Sequence, residues 1–221
     1  MRVCLLLLGT VITTSYNPAL ATAQSGPGPQ DKQATERTRG MHVVGSFGLN
    51  GCTGPRCQNL GPLFHTRLHP LFRVNKYLAA GLQVGFLFMG PLFGAEGART
   101  ELWDAFVGPE VRGLLPLGKL DLWIGLAVGY FHRQHQVSTD GFEHKIWANA
   151  VGLAWGIGLD YFVWKNRIAI GGDVWMYKGW NQRFCSRTGS NDAICSGDSS
   201  IDEDGGFTIA AGATVTFFLP L

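Results

Sequence analysis

An alternation of period two recurs along this chain in eight segments between residues 41 and 219. Successive side chains of a β-strand point to opposite faces, so such a segment has two faces of different chemistry. In segment 77–89, Leu78, Ala80, Leu82, Val84, Phe86 and Phe88 share one face; Tyr77, Ala79, Gly81, Gln83, Gly85 and Leu87 share the other. Leu120, Leu122, Ile124, Leu126, Val128 and Tyr130 likewise oppose Asp121, Trp123, Gly125, Ala127, Gly129 and Phe131. The last segment sets Ile209, Val215, Phe217 and Leu219 against Thr208, Gly212, Thr214 and Thr216. One face is bulky, apolar and almost free of charge. The other carries Gly, Ala, Thr and scattered charges.

That asymmetry decides what the faces meet. In a soluble barrel, bulky apolar residues fill the inside and polar ones face water. Here the small and charged face suits a narrow eight-stranded lumen, and the bulky face suits lipid. The chain therefore reads inside out, as an all-β, eight-stranded antiparallel up-and-down transmembrane β-barrel. The alternative is a secreted soluble ligand-binding barrel whose apolar face is its core. Composition agrees with a membrane barrel. Only 15% of the 221 residues are charged, against about 25% in ordinary globular chains. No stretch after the N-terminal leader reaches the roughly 18 apolar residues of a spanning helix. A net charge of +2 and the lack of a basic run give no reason to expect nucleic acid.

The segments run over 41–49, 62–74, 77–89, 101–115, 119–133, 146–163, 166–178 and 206–219. Connections near Asn75, Leu117-Gly118 and Lys165-Asn166 are short; those at 50–61, 90–100, 134–145 and 179–205 are long. Short periplasmic turns alternating with long outer loops produce this rhythm, and an even strand count leaves both termini periplasmic. Aromatic residues gather at segment ends, with Phe88, Trp103, Tyr130 and Trp147 toward the outer side. Phe72, Tyr161, Trp164 and Phe217 lie toward the periplasm. Two interfacial belts account for that placement.

Residues 1–23 read as a cleaved signal peptide: Arg2 precedes the apolar run Cys4–Ile12, and Ala21-Thr22-Ala23 offers small cleavage-site residues. Residues 24–39 are polar and aperiodic, which predicts a flexible periplasmic tail. The barrel domain is expected over 40–221. Loss of Cys4 with the signal leaves Cys52, Cys57, Cys185 and Cys195, an even set suited to disulfides in an oxidising compartment. Local pairs and cross-loop bridges are both open. Spacings of five and ten do not match a usual zinc pattern, and no metal is expected.

At this point the pattern resembles a known group, the small eight-stranded outer-membrane barrels, similar to the OmpA transmembrane domain, OmpX-like proteins and the broader porin-family class. The resemblance covers residues 40–221. It implies a bacterial outer-membrane location and outer-membrane lipid and lipopolysaccharide as surroundings. It also implies folding by the barrel-assembly machinery, a monomer, and no cofactor. In that class the last strand usually ends in an aromatic residue. Here the chain closes Phe218-Leu219-Pro220-Leu221, a departure at its final residues.

Alternation puts His65, Arg67, His69, Arg73, Asp104, Glu110, Arg112, Asp121, Asp160, Arg167 and Asp173 on the inner face. Charges in a narrow lumen are costly unless paired, so these residues are expected to form an ion-pair network that fills it. The expected role is structural or surface-interacting, with little or no conductance and no enzymatic step. Alternatives are a narrow conduit for a small molecule and an outer-membrane lipid-modifying enzyme. For the latter, His132, His135 and Ser138, with Glu143 nearby, are the residues to examine. Asp192, Asp198, Asp202, Glu203 and Asp204 form an acidic loop without the spacing of a defined calcium site.

Overall fold

A computed structural model describes residues 39–53, 60–91, 98–139, 142–189, 191–196 and 207–221. The strands are β1 (Gly40–Cys52), β2 (Leu60–Asn75), β3 (Leu78–Pro91), β4 (Ala98–Leu117), β5 (Leu120–Thr139) and β6 (Phe142–Trp164). They continue with β7 (Ile168–Thr188), the short β8 (Ile194–Ser196) and β9 (Thr208–Pro220). Sequential strands pair antiparallel from β1 to β7; β9 then pairs with both β7 and β1. That last pairing closes an eight-stranded barrel and leaves β8 as an appendage on β7. Closure satisfies every strand edge in turn, which a bilayer demands because its core supplies no hydrogen-bond partners. The expected signal peptide and nearly all of the expected tail lie outside the described residues, as does Cys57.

Turn chemistry follows the short connections. Lys165 and Asn166 both take left-handed backbone (φ 41° and 56°), and the Arg167 amide donates to the Trp164 carbonyl. Two consecutive positive φ angles define the hairpin turn whose twist matches the flanking strands. Gly118 takes φ 63° in the Leu117–Leu120 turn, where a side chain would add strain.

The faces separate as alternation requires. Ile124, Ile157, Ile170 and Phe217 are half or more exposed around the barrel's outside, while Ala79, Ala127, Ala154 and Trp175 are buried within it. An exterior of large apolar side chains over a closed barrel is the lipid-facing band of a transmembrane barrel.

One expectation is corrected. The connection expected over 134–145 is a β-ladder: β5 and β6 stay in register through Val137↔His144 and Thr139↔Phe142. In the same way β7 continues to Thr188, paired with β6 as far as His144. Hydrophobic alternation stops near residue 133 because both faces are wet beyond the bilayer, yet backbone pairing has no reason to stop there. At about 3.4 Å per residue, the 23 residues of β6 run to about 78 Å. The 13 residues of β1 reach about 44 Å. The four long strands β4–β7 therefore rise as a wall on one side of the outer rim.

Candidate functional site

The interior is built from inward parity on every strand. His65, Arg67, His69 and Arg73 come from β2, Asp104, Glu110 and Arg112 from β4, Asp121 from β5, Asp160 from β6 and Asp173 from β7; all are buried. Arg167 departs from the expectation. It lies in the three-residue turn before β7 and its side chain is exposed, because the strand and its alternation begin only at Ile168, after the left-handed turn.

The described charges meet as four pairs stacked along the barrel axis. At the short-turn end, Arg73 Nη1 donates to Asp121 Oδ2 at 2.7 Å, and Arg73 also reaches the Lys76 carbonyl at 2.8 Å. Higher, Glu110 sits between two partners. Its Oε1 accepts from Arg112 Nε at 2.5 Å and its Oε2 lies 2.6 Å from His69 Nδ1. Arg67 Nη2 donates to Asp173 Oδ1 at 2.6 Å and to Ser46 Oγ at 2.9 Å. Toward the outer end, Arg133 grips Asp104 with two bonds of 2.8 Å. A bidentate guanidinium–carboxylate pair fixes geometry as well as charge. Asp160, which lies across the ladder from Asp121, accepts from Thr214 at 3.3 Å and Thr216 at 3.0 Å.

Aromatic side chains occupy the space between the pairs. The Arg112 guanidinium lies 4.0 Å from the Trp123 ring centre and 5.8 Å from that of Trp175. His69 stacks on Trp175 at 5.5 Å. Such contacts suit a guanidinium shielded from water. Above them Gln83 Nε2 donates to Tyr177 Oη at 2.7 Å, and Phe106 and Phe131 pack on Tyr177. Below, Phe218 meets His42 edge-on, and Phe162 and Ala169 join it. Inward glycines make room for the large rings. A Cβ on Gly156 would lie 2.5 Å from Trp175 Cδ2 and 2.7 Å from the Val174 carbonyl oxygen.

Sequence reasoning missed Arg133, Trp175 and Tyr177 as members of this interior. Parity counted from Phe131 would have found Arg133, and parity counted from Asp173 the other two. Small and charged residues dominate the inner face along the sequence, and its large aromatics stand out only when parity is followed through each strand.

The possible catalytic group does not converge. His132 is 5.2 Å from the Trp103 ring on the outward face, and its Nδ1 lies 2.7 Å from Asn149 Oδ1. His135 has the opposite parity, and Ser138 is six residues from His132, about 20 Å along a strand. Ser138 does pair with Glu143 across the ladder. Among the described residues no cluster of His, Cys, Asp or Glu could hold a metal. Asp192 is exposed; Asp198, Asp202, Glu203 and Asp204 lie outside the described residues. Cys185 and Cys195 are bridged across the β7–β8 pairing, and Cys52 is also disulfide-bonded.

No protein-family model matches the chain. No curated protein matches it either. Its fold does match solved structures. A major outer membrane protein from Thermus thermophilus superimposes with a TM-score of 0.62 at 15% identity, covering 82% of this chain and 99% of that one. Neisserial surface protein A gives a TM-score of 0.52 at 12% identity, covering 81% and 97%. The closed barrel, its lipid-facing exterior and these matches agree: the chain has the fold of the small eight-stranded outer-membrane β-barrels.

Proposed function

We propose that this barrel is a closed-lumen outer-membrane protein with a structural or surface-interaction role, little or no conductance and no enzymatic step. The packing of the interior carries the reading. Four ion pairs and the Trp123–Trp175–Tyr177 stack succeed one another along the axis, all formed by buried side chains except Arg133, which is partly exposed at the outer end. An ion would have to break several desolvated pairs to cross. The wall raised by β4–β7 supplies the outer surface, and the Cys185–Cys195 bridge staples its edge. The protein acts as a monomer among outer-membrane lipid and lipopolysaccharide, reaches the membrane through the barrel-assembly machinery, contacts no nucleic acid and requires no cofactor. Planar-bilayer recording tests the reading. A flat baseline is expected, and discrete steps in the purified folded protein would overturn it.

A second reading, a narrow conduit, is favoured by one observation. Arg67 Nε and Nη1, Arg112 Nη2 and the indole N–H groups of Trp123 and Trp175 are buried without a protein partner. Buried donors of this kind are satisfied by water, which would make the mid-lumen wet. Discrete steps that vanish when the lumen is narrowed by Gly156→Ala would favour that conduit.

A further inference from the structure

Five cationic side chains occupy the rim formed by the short turns: Arg39, Lys76, Lys119, Lys165 and Arg167, all exposed. Among the described residues of that rim no acidic side chain accompanies them. The nearest acids, Asp121 and Asp160, point into the lumen and are buried. Backbone hydrogen bonds lace this rim together. Leu114 N donates to the Tyr77 carbonyl, Phe162 N to that of Lys119, Phe218 N to that of Arg167, and Leu221 N to that of Arg39. The cations are therefore spaced around the ring rather than clustered on one strand.

Their surroundings are those of a membrane interface. Arg39 lies 5.7 Å from the Phe72 ring centre, Lys76 4.7 Å from that of Tyr77, and Lys165 5.9 Å from that of Trp164. The apolar belt starts directly beside them with exposed Val74, Leu117, Val163, Trp164 and Leu219. Long cationic side chains lay their stems on such a belt and carry the charge into the headgroup layer. At the opposite rim charges are mixed: exposed Glu101 and Glu143 stand near Lys145 and Arg187 on the β4–β7 wall.

We infer that the short-turn rim is a cationic collar that binds the headgroups of anionic phospholipids in the leaflet it faces. The inference rests on the transmembrane reading of the barrel. A headgroup with net negative charge gains from each nearby Lys or Arg, whereas a zwitterionic one gains little. Among the described residues, charge of one sign in each of these turns suits a fluid lipid annulus better than a single docked partner.

The test folds the full chain into phosphatidylcholine vesicles with trace spin-labelled phosphatidylglycerol or spin-labelled phosphatidylcholine. The motionally restricted fraction of each label gives their relative affinity for the barrel. Wild type is expected to prefer phosphatidylglycerol about fivefold at low salt, the effect of one cation–headgroup contact. High salt should cut that preference, because exposed charges are screened. The variant Lys76→Gln/Lys119→Gln/Lys165→Gln/Arg167→Gln should bring it close to unity, while Lys145→Gln/Arg187→Gln should leave it intact. Equal affinity for the two lipids in wild type overturns the inference. So does a preference that survives the rim variant and disappears in the outer-rim variant. A cold detergent gel of the same samples keeps the two readings apart. If the unboiled protein shows no mobility shift, the transmembrane reading fails; a normal shift without lipid preference removes the collar alone.

Discussion

Replacing Glu110 with alanine should destabilise the barrel by about 3–5 kcal/mol, the usual cost of deleting one partner of a buried ion pair. Glu110 accepts from Arg112 at 2.5 Å, lies 2.6 Å from His69, and is buried with both. Without it the Arg112 guanidinium stays desolvated and loses its carboxylate, while its Nη2 already lacks a protein partner. The Trp123 face at 4.0 Å cannot substitute, since a desolvated cation–π contact contributes only about 2 kcal/mol. Removing both charges should cost far less than removing one. Glu110→Gln/Arg112→Met keeps volume and leaves an amide for His69, so it should fall within about 1–2 kcal/mol of wild type. The assay is urea unfolding of vesicle-folded protein followed by tryptophan fluorescence, because Trp123 and Trp175 both lie against the Arg112 guanidinium. A Glu110→Ala barrel within about 1 kcal/mol of wild type, or a double variant as unstable as the single, would refute the view that this pair is desolvated and mutually dependent.

Three further outcomes follow from the barrel wall and its outer edge. Gly156→Ala should destabilise by roughly 1–3 kcal/mol, since its Cβ meets Trp175 and the Val174 carbonyl. Gly45→Ala, whose nearest neighbour is the Val215 carbonyl oxygen at 3.9 Å, should be near neutral in the same urea titration. Cys185→Ser/Cys195→Ser opens a bridge of sequence separation 10, worth roughly 2.5–3 kcal/mol by chain entropy. Because the bridge ties β7 to β8 and not to the barrel's closure, limited trypsin digestion should speed up at Arg187 while the cold-gel shift of the barrel persists.

Much of this fold can be read along the chain, for a local reason. Side-chain direction in a strand depends only on parity, so Leu82, Ile124 and Ile157 declare one face and Gln83, Asp121 and Gly156 the other. Turns show themselves through residues that tolerate left-handed backbone, such as Gly118 and Asn166. Strand ends were less legible. Beyond Arg133 both faces meet water, so hydrophobic alternation disappears from a ladder that backbone hydrogen bonds still hold to Thr139↔Phe142. Arg167 is misplaced for a related reason: parity counted back from Asp173 assumes that the strand reaches residue 167, whereas β7 begins at Ile168 and Arg167 belongs to the turn.

What the sequence determined by itself is the period and the polarity of the faces, because those follow from bond geometry and composition within each segment. Which carboxylate meets which guanidinium was decided only in three dimensions. Arg73 finds Asp121 across 48 positions, Arg67 finds Asp173 across 106, and His69 reaches Glu110 across 41. Those meetings depend on how far each strand slides past its neighbour as the sheet closes, and on glycines that let Trp123 and Trp175 into the axis. Stagger and closure are properties of the whole ring, so no single segment of the chain encodes them.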